Sequence, residues 1–275
     1  MKLLDAAAFL SSAGIESPEI EARELFYAFG GYDRGLILTK NLEMDDDVLN
    51  PLLRRRADGE PLQYIVGEVA FYNEIYKVNP SVLIPRPDTE HLVDYAVKNL
   101  ESGSVFLDLC TGSGCVGIST LKNTKDTRCI AVDISEAALS LAEQNARING
   151  VSERFRAALG DARDKSFALS LFDGKLDAVL SNPPYIERAV YKTLSREVKR
   201  EPSLALCADL EGLEFYIKMT PIYKELIKPS GFIAYEIGYD QAKALKKIAE
   251  ENKMTAKIIK DYSGNDRVAV LRRPS

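Results

Sequence analysis

From Ser104 onward the chain repeats one order: a short apolar run, a turn, then an amphipathic stretch. The apolar runs are "SVFLDLC", "RCIAVDI", "FRAALGD", "LDAVLSN" and "GFIAYEIG", with helices read at "SEAALSLAEQNARING" and around Leu213 to Ile227. Continuous apolar strands need cover on both faces, and helices alternating with strands supply it. That is a parallel sheet built from strand–helix–strand units. The tail, "TAKIIKDYSGNDRVAVLRR", reads as two strands joined by a Gly-Asn turn, so an antiparallel strand is expected at the C-terminal edge. The fold class that follows is α/β, doubly wound and mostly parallel.

The first part of the chain has a different rhythm. Leu3, Leu4, Ala7, Ala8 and Leu10 lie near a 3.6-residue period, and Ser17-Pro18 before Glu19 to Phe29 reads as a capped second helix ending at Gly30-Gly31. "VAFYNEIYKVN", Val69 to Asn79, has the aromatic and β-branched residues of a hairpin about its central Asn-Glu. The proline-rich "PSVLIPRPDTE" follows as a rigid connector, and a helix is expected from Asp88 or Thr89 to about Leu100. Three pieces result: an all-helical domain over 1–68, a hairpin and linker over 69–87, and the α/β domain over 88–275.

Composition removes several function classes. No apolar run approaches the roughly 20 residues that span a bilayer, so no membrane segment is expected. "MKLLDAAAFLSSAG" is broken by Asp5 and reads as an amphipathic helix rather than a secretory signal. Cys110, Cys115, Cys129 and Cys207 form no Cys-x-x-Cys pair, which points to a reducing, cytoplasmic setting. A net charge of −5 argues against a surface that grips phosphate backbones, and no direct DNA binding is expected. The one basic cluster, "LLRRRA", reads as the end of a helix "DDDVLNPLLRRRADG", with Asp45 to Asp47 at its positive pole and Arg54 to Arg56 at its negative pole.

"DLCTGSGCVGIS", Asp108 to Ser119, places small residues where the first strand turns into a helix. Gly112 and Gly114 permit positive φ and close ligand approach, and the helix start offers free N–H groups to an anion. Asp133 closes the next strand 21 residues after Gly112, where a carboxylate can accept from two ribose hydroxyls. Together these point to a nucleoside-containing cofactor. "GSGCVG" also fits the Gly-x-Gly-x-x-Gly of dinucleotide dehydrogenases, so that class stays open at this point.

"VLSNPPYI", Val179 to Ile186, ends a buried strand with two prolines. Pro183 and Pro184 have fixed φ and no N–H, and Asn182 before them is held extended. The corner presents one amide, two bare carbonyls and one aromatic ring. A conjugated NH2 group on a substrate has two N–H donors, which the Asn182 side-chain oxygen and the Pro183 carbonyl can accept. That fixes the nitrogen and raises its electron density for an in-line attack on a methyl group. The Tyr185 ring can pack against the flat substrate group or beside a cationic methyl donor. No metal or strong base is needed, because the methylated nitrogen becomes acidic.

"DLCTGSG", "AVDIS", "SNPPYI", "PLQYIVG", "VLIPRPDTEHLV", "EVKREPSLAL", "EGLEFY", "EIG" and "GNDRV" together resemble the HemK/PrmC family, S-adenosylmethionine-dependent methyltransferases of peptide chain release factors. The likeness covers about Pro61 to Val270, and the helical domain in front matches the family's in size and place. The resemblance implies a Rossmann-like class I methyltransferase sheet and transfer of a methyl group to side-chain N5 of the glutamine in a Gly-Gly-Gln loop. Carried over residue by residue, it implies a cofactor turn at Cys110, Thr111, Gly112, Ser113 and Gly114, and a ribose-binding acid at Asp133 with Ile134 beside it. It implies adenine neighbours at Asp161 and Ala162. The substrate-amide and catalytic motif falls on Asn182, Pro183, Pro184 and Tyr185, with Asn182 also facing the cofactor. It further implies that the helical domain binds the release factor, the chain acting as a monomer.

Four departures mark this chain. Cys110 stands where the family has glycine, Ala162 where a larger side chain is common, and "ALCADLEGL" replaces a glycine-rich "GGxDGL". Asp88 takes the place of a glutamate in the connector. None removes a group the chemistry needs. His91, the single histidine, has no ligand partners at metal spacing and reads as a packing residue. Arg86 reads as a fastener of the connector to an acid such as Glu90 or as a side chain that reaches the substrate loop, and Glu197 and Glu201 as either an entrance lining or a solvated face. Gly264 to Arg267 reads as a turn with an ion pair. The alternative reading is an amino-methyltransferase of adenine or cytosine, which shares the Asn182–Tyr185 logic but should carry a basic recognition domain.

Overall fold

The computed structural model describes residues 1–274, and its chain divides into two compact units, 1–68 with 195–200, and 69–194 with the remainder from 201. The first unit holds α1 (Leu3–Ser12), α2 (Pro18–Gly30), α3 (Arg34–Thr39), α4 (Asp46–Ala57) and α5 (Leu62–Val66). In α1 the buried row is Leu3, Ala6, Ala7 and Leu10, at i, i+3, i+4 and i+7. Leu4 and Ala8 lie on the outer face instead, Leu4 being 61% exposed. The helix is as expected but turned by one residue, because the Leu3 row meets Leu25, Phe26 and Leu53 in this unit's core.

The arginine cluster is neutralised at home. Arg56 is 4% exposed. Its guanidinium donates to Glu21 at 2.5 and 3.0 Å and to Glu197 at 2.9 Å. Arg55 pairs with Glu60 at 2.6 Å. A buried guanidinium stripped of these carboxylates would be strongly destabilising, so the helix-end reading holds for "LLRRRA". Glu197 therefore serves as an ion-pair partner.

The second unit opens with the hairpin β1 (Glu68–Phe71) and β2 (Glu74–Lys77), then α6 (Glu90–Asn99) after a 3-10 turn at Pro87–Thr89. There follow β3 (Val105–Leu109), α7 (Cys115–Lys122), β4 (Arg128–Asp133), α8 (Glu136–Ile148), β5 (Phe155–Leu159), α9 (Lys165–Ser170) and β6 (Leu176–Ser181). A short pair, β7 (Ile186–Glu187) and β8 (Cys207–Ala208), brackets α10 (Arg188–Tyr191) and α11 (Ser203–Leu206). Then come α12 (Glu214–Tyr223), β9 (Ile227–Glu236), α13 (Ala242–Glu251), β10 (Thr255–Lys260) and β11 (Asp266–Arg272).

Among the described residues the main sheet has seven strands in the order β10-β11-β9-β6-β3-β4-β5. β3, β4, β5, β6 and β9 run parallel, and β11 is antiparallel to both β9 and β10. The two tail strands thus close the C-terminal edge, with β10 outermost. Successive strand residues feed opposite layers: Leu107, Leu109, Val132 and Tyr235 go to one core, and Phe106, Ala131, Leu180 and Ala234 to the other. β5 departs from the doubly buried pattern, with Leu159 55% exposed, because it ends the sheet. Among the described residues no helix is long and apolar enough to cross a membrane.

The chain runs outward from β3 to β4 and β5, then crosses to β6 on the other side of β3. That reversal opens a crevice at the carboxyl ends of β3 and β6, where sheets of this kind hold ligands. Leu109 pairs with Ser181 there, and the Ser181 hydroxyl donates to the Leu109 carbonyl at 2.7 Å.

Candidate active site

Both central strands end in a special turn. After β3 the chain passes through Cys110 (φ +58°), Gly112 (φ +53°) and Gly114 (φ +82°) before α7 begins. The two glycines serve different ends. A Cβ on Gly112 would meet nothing within 4 Å, which leaves its backbone open to a ligand, whereas one on Gly114 would lie 2.8 Å from Ile118 Cδ1 and 3.1 Å from Ala142 Cβ. Cys110 holds a left-handed conformation that costs an L-residue about 1–2 kcal/mol, and this is the physical reason glycine suits the position.

Two buried polar side chains, absent from the sequence reading, hold this turn. Asp108 Oδ2 accepts from Thr111 Oγ1 at 2.6 Å and from the Gly117 N–H at 2.9 Å. Burial pushes its carboxyl up to about 7, against the pull of those two bonds. Asn145 Nδ2 donates to the carbonyls of Ser113 (2.8 Å) and Lys77 (3.0 Å), and its Oδ1 accepts from the Lys77 N–H at 2.8 Å. One side chain of α8 thereby ties the glycine turn to the hairpin. An asparagine inside a helix pattern gives no local sign of such a role.

Asp133 ends β4 with its carboxylate turned to the same turn. Oδ2 accepts from the Gly112 N–H and Oδ1 from the Ser135 N–H, both at 2.9 Å. Burial raises its pKa while the backbone N–H groups oppose the rise. A carboxylate offers about four acceptor sites, so two stay open for hydroxyl donors. Asp161, after β5, is bound by Arg163 through both oxygens at 2.8–2.9 Å, which holds its carboxyl below the usual range. Arg163 continues to Glu214 at 2.8 Å and lies 4.7 Å over the Phe215 ring. Ala162 is buried, its carbonyl accepting from the Tyr223 hydroxyl at 3.0 Å.

These residues surround a cavity of about 300 Å³. Its walls include Cys110, Thr111, Gly112, Ser113, Asp133, Ile134, Asp161, Ala162, Asn182 and Pro184. Leu83, Pro85, Thr89, Arg163 and Phe215 complete it, none of them singled out by sequence for this role. Gly114 caps α7 behind the turn, and Pro183 is buried. The Tyr185 ring packs against the core, with its hydroxyl donating to Glu236 Oε1 at 3.3 Å. Asn182 Nδ2 donates to Thr89 Oγ1 at 3.2 Å, which leaves the amide oxygen as the end that can accept from a ligand. An open glycine backbone, a half-buried acceptor-rich carboxylate and the apolar faces of Phe215 and Leu83 suit a nucleoside group with a sugar diol.

The remaining sequence candidates make structural contacts, Arg86 also lining the cavity. Arg86 pairs with Glu201, not Glu90, and Glu201, 3% exposed, also accepts from the Ile84 N–H at 3.0 Å. Glu90 instead accepts from the Tyr72 N–H at 2.7 Å. The His91 ring lies 4.5 Å from that of Tyr262, and among the described residues no cluster of His, Cys, Asp and Glu could hold a metal. Arg267 joins Asp261 at 3.1 Å and Asp88 at 3.0 Å, so the shortened connector acid keeps an ion pair.

Comparison with known proteins gives the family and the fold. A family model described as the PrmC N-terminal domain matches residues 3–67, and one described as the methyltransferase small domain matches 88–200. The release factor glutamine methyltransferase of Nitratidesulfovibrio vulgaris is 36% identical over 274 residues, covering 96% of this chain and 91% of that protein. The protein of the same name from Moorella thermoacetica is 36% identical over 281 residues, covering 98% and 96%. Among solved structures, a ribosomal protein L11 methylase from Lactobacillus delbrueckii subsp. bulgaricus superposes with a TM-score of 0.53 at 19% identity, over 74% of this chain and 87% of that one, which shows the shared fold. Fold and family both imply use of S-adenosylmethionine. With relatives this similar along nearly its whole length, the chain belongs to the release factor glutamine methyltransferase family.

Proposed function

We propose that this protein transfers a methyl group from S-adenosylmethionine to side-chain N5 of the glutamine in the Gly-Gly-Gln motif of peptide chain release factors. The observation that carries the reading is the placement of Asn182. It lines the cavity that Gly112 and Asp133 also line, with its Nδ2 occupied by Thr89 and its oxygen free to accept. When bound, the cofactor supplies a sulfonium-activated methyl group. Asp133 would accept from the ribose hydroxyls, Gly112 would let the cofactor approach the backbone, and Ile134, Asp161 and Ala162 would flank the adenine. The Asn182 side-chain oxygen and the Pro183 carbonyl would accept the two glutamine N–H bonds, with Pro183 and Pro184 keeping those acceptors rigid. Tyr185 would brace the corner from behind through Glu236.

The helical domain over 1–68 would hold the release factor, the segment 69–87 would link, and 88–275 would carry the chemistry, in a cytoplasmic monomer. The test is mass spectrometry of a release factor containing Gly-Gly-Gln after incubation with protein and cofactor. One added methyl on that glutamine is expected. Label from tritiated cofactor entering unmethylated DNA and not the release factor would overturn the assignment in favour of a nucleic-acid amino-methyltransferase.

A further inference from the structure

Glu236 ends β9 beside the site, and the chemistry above uses only the oxygen that braces Tyr185. The residue is 1% exposed. Oε1 accepts from the Tyr185 hydroxyl at 3.3 Å. Oε2 is buried with no partner at hydrogen-bond distance, an arrangement that costs free energy and calls for a reason. The groups that face it come from several elements. Thr89, from the turn before α6, stands near enough for its hydroxyl to favour the charged carboxylate, as does the Arg267 charge on β11, while Asp88 opposes it. Tyr216, on α12, donates to the main-chain carbonyl of Glu236 at 2.9 Å. The Cys115 thiol of α7 and the Asp261 carboxylate, paired to Arg267, complete the surroundings.

Thr89 is the link to the reacting corner. It is 2% exposed, and its Oγ1 accepts from Asn182 Nδ2 at 3.2 Å. A hydroxyl has a single proton, and Thr89 must direct its own away from the amide it accepts from. The acceptor-only group whose charged form the Thr89 hydroxyl favours is Glu236. We propose that Glu236 is a positioning residue whose carboxylate draws the Thr89 proton, so that Thr89 accepts from Asn182 Nδ2 and the Asn182 oxygen is turned to the substrate amide. This rests on the reading of Asn182 as the substrate-amide acceptor. A protonated Glu236 can donate to Thr89 instead. Thr89 is then free to donate to Asn182, the amide turns over, and its NH2 meets the substrate NH2 donor to donor.

Burial lifts the Glu236 carboxyl to about 7, which puts the change within a measurable range. The carboxylate, and with it the productive orientation, is present above that pH and lost below it. The experiment follows kcat on the release factor from about pH 5.5 to about 8.5, beside the side-chain amide NMR signal of Asn182 without substrate, assigned by its loss in Asn182→Ala. In the wild type kcat should fall roughly 10-fold per pH unit below the midpoint, and the amide signal should move with the same midpoint. Glu236→Gln should remove both pH steps. Thr89→Val, which keeps the shape, should lower kcat on the order of 100-fold, and Thr89→Ser should restore it. A wild-type amide signal that stays still across the range, or a Thr89→Val protein with wild-type kcat, overturns the proposal. A moving signal in a protein that methylates no release factor supports the relay and overturns the substrate reading instead.

Discussion

Gly212→Ala isolates the contact that closes the Asn182–Tyr185 corner. Leu210, Glu211 and Gly212 take φ values of +54°, +57° and +80° in succession. This left-handed run occupies the place where the resembled family is glycine-rich. It brings Gly212 against Tyr185: an added Cβ would sit 2.1 Å from the Tyr185 carbonyl oxygen, 3.0 Å from its carbon and 2.8 Å from Gln241 Nε2. Gln241 Nε2 donates to that same carbonyl at 3.3 Å, so the oxygen is held from the other side. No rotamer change relieves a clash with backbone, and ordinary contact near 3.5 Å requires the two segments to part by more than about 1 Å. The left-handed φ adds about 1–2 kcal/mol for a residue with Cβ, and overpacking adds about 1–3 kcal/mol. At about 2–4 °C per kcal/mol for a unit of this size, the melting midpoint should fall by roughly 4–20 °C. Displacing Tyr185 also displaces Asn182, and a shift of about 1 Å can lower kcat on the order of 100-fold. Gly264→Ala is the control, with φ +86° and nothing within 4 Å. It bears the φ cost alone and should keep wild-type kcat. Calorimetry and methyl-transfer kinetics read both variants. Equal midpoints together with wild-type kcat in Gly212→Ala would refute the reasoning.

Two further outcomes concern the cofactor turn. The Asp108 carboxyl is raised by burial to about 7 from an ordinary 3.8, so the folded protein binds a proton there that the unfolded chain releases. Its destabilising contribution is absent below about pH 4 and complete above about pH 7, amounting to roughly 4 kcal/mol. Asp108→Asn, whose oxygen can still accept from Thr111 and Gly117, should match the wild type in urea at pH 4 and exceed it at pH 8. A wild-type midpoint that rises across this window with Asp108→Asn following in parallel would refute that account. Asp133→Ala removes the acceptor of the Gly112 N–H and the open sites for two hydroxyls. Charge-assisted bonds of about 1.5–3 kcal/mol each correspond to a loss of at least about 100-fold in S-adenosylmethionine affinity, measured by titration calorimetry. A change under 3-fold would remove Asp133 from the binding role.

Much of this molecule is legible in one dimension because its strongest signals are local. A strand apolar on both faces, a glycine turn, an acid one unit later and two prolines after an asparagine all follow from backbone sterics and burial. They place α/β layers and lead to the expectation of a nucleoside pocket and an acceptor-lined corner without any contact map. Cys110 and the Leu210–Gly212 run are already visible in sequence as departures, but only their positive φ values show what the departures cost. The tertiary structure alone decided which row of α1 faces inward, that Arg86 meets Glu201, and that Asp108, Asn145, Thr89 and Glu236 stand behind the site. Most depend on a partner distant in the chain: Asn145 on Lys77, Asn182 on Thr89, Tyr185 on Glu236. The strength of such a polar contact is set by the water excluded around it, and that exclusion exists only once the layers have closed.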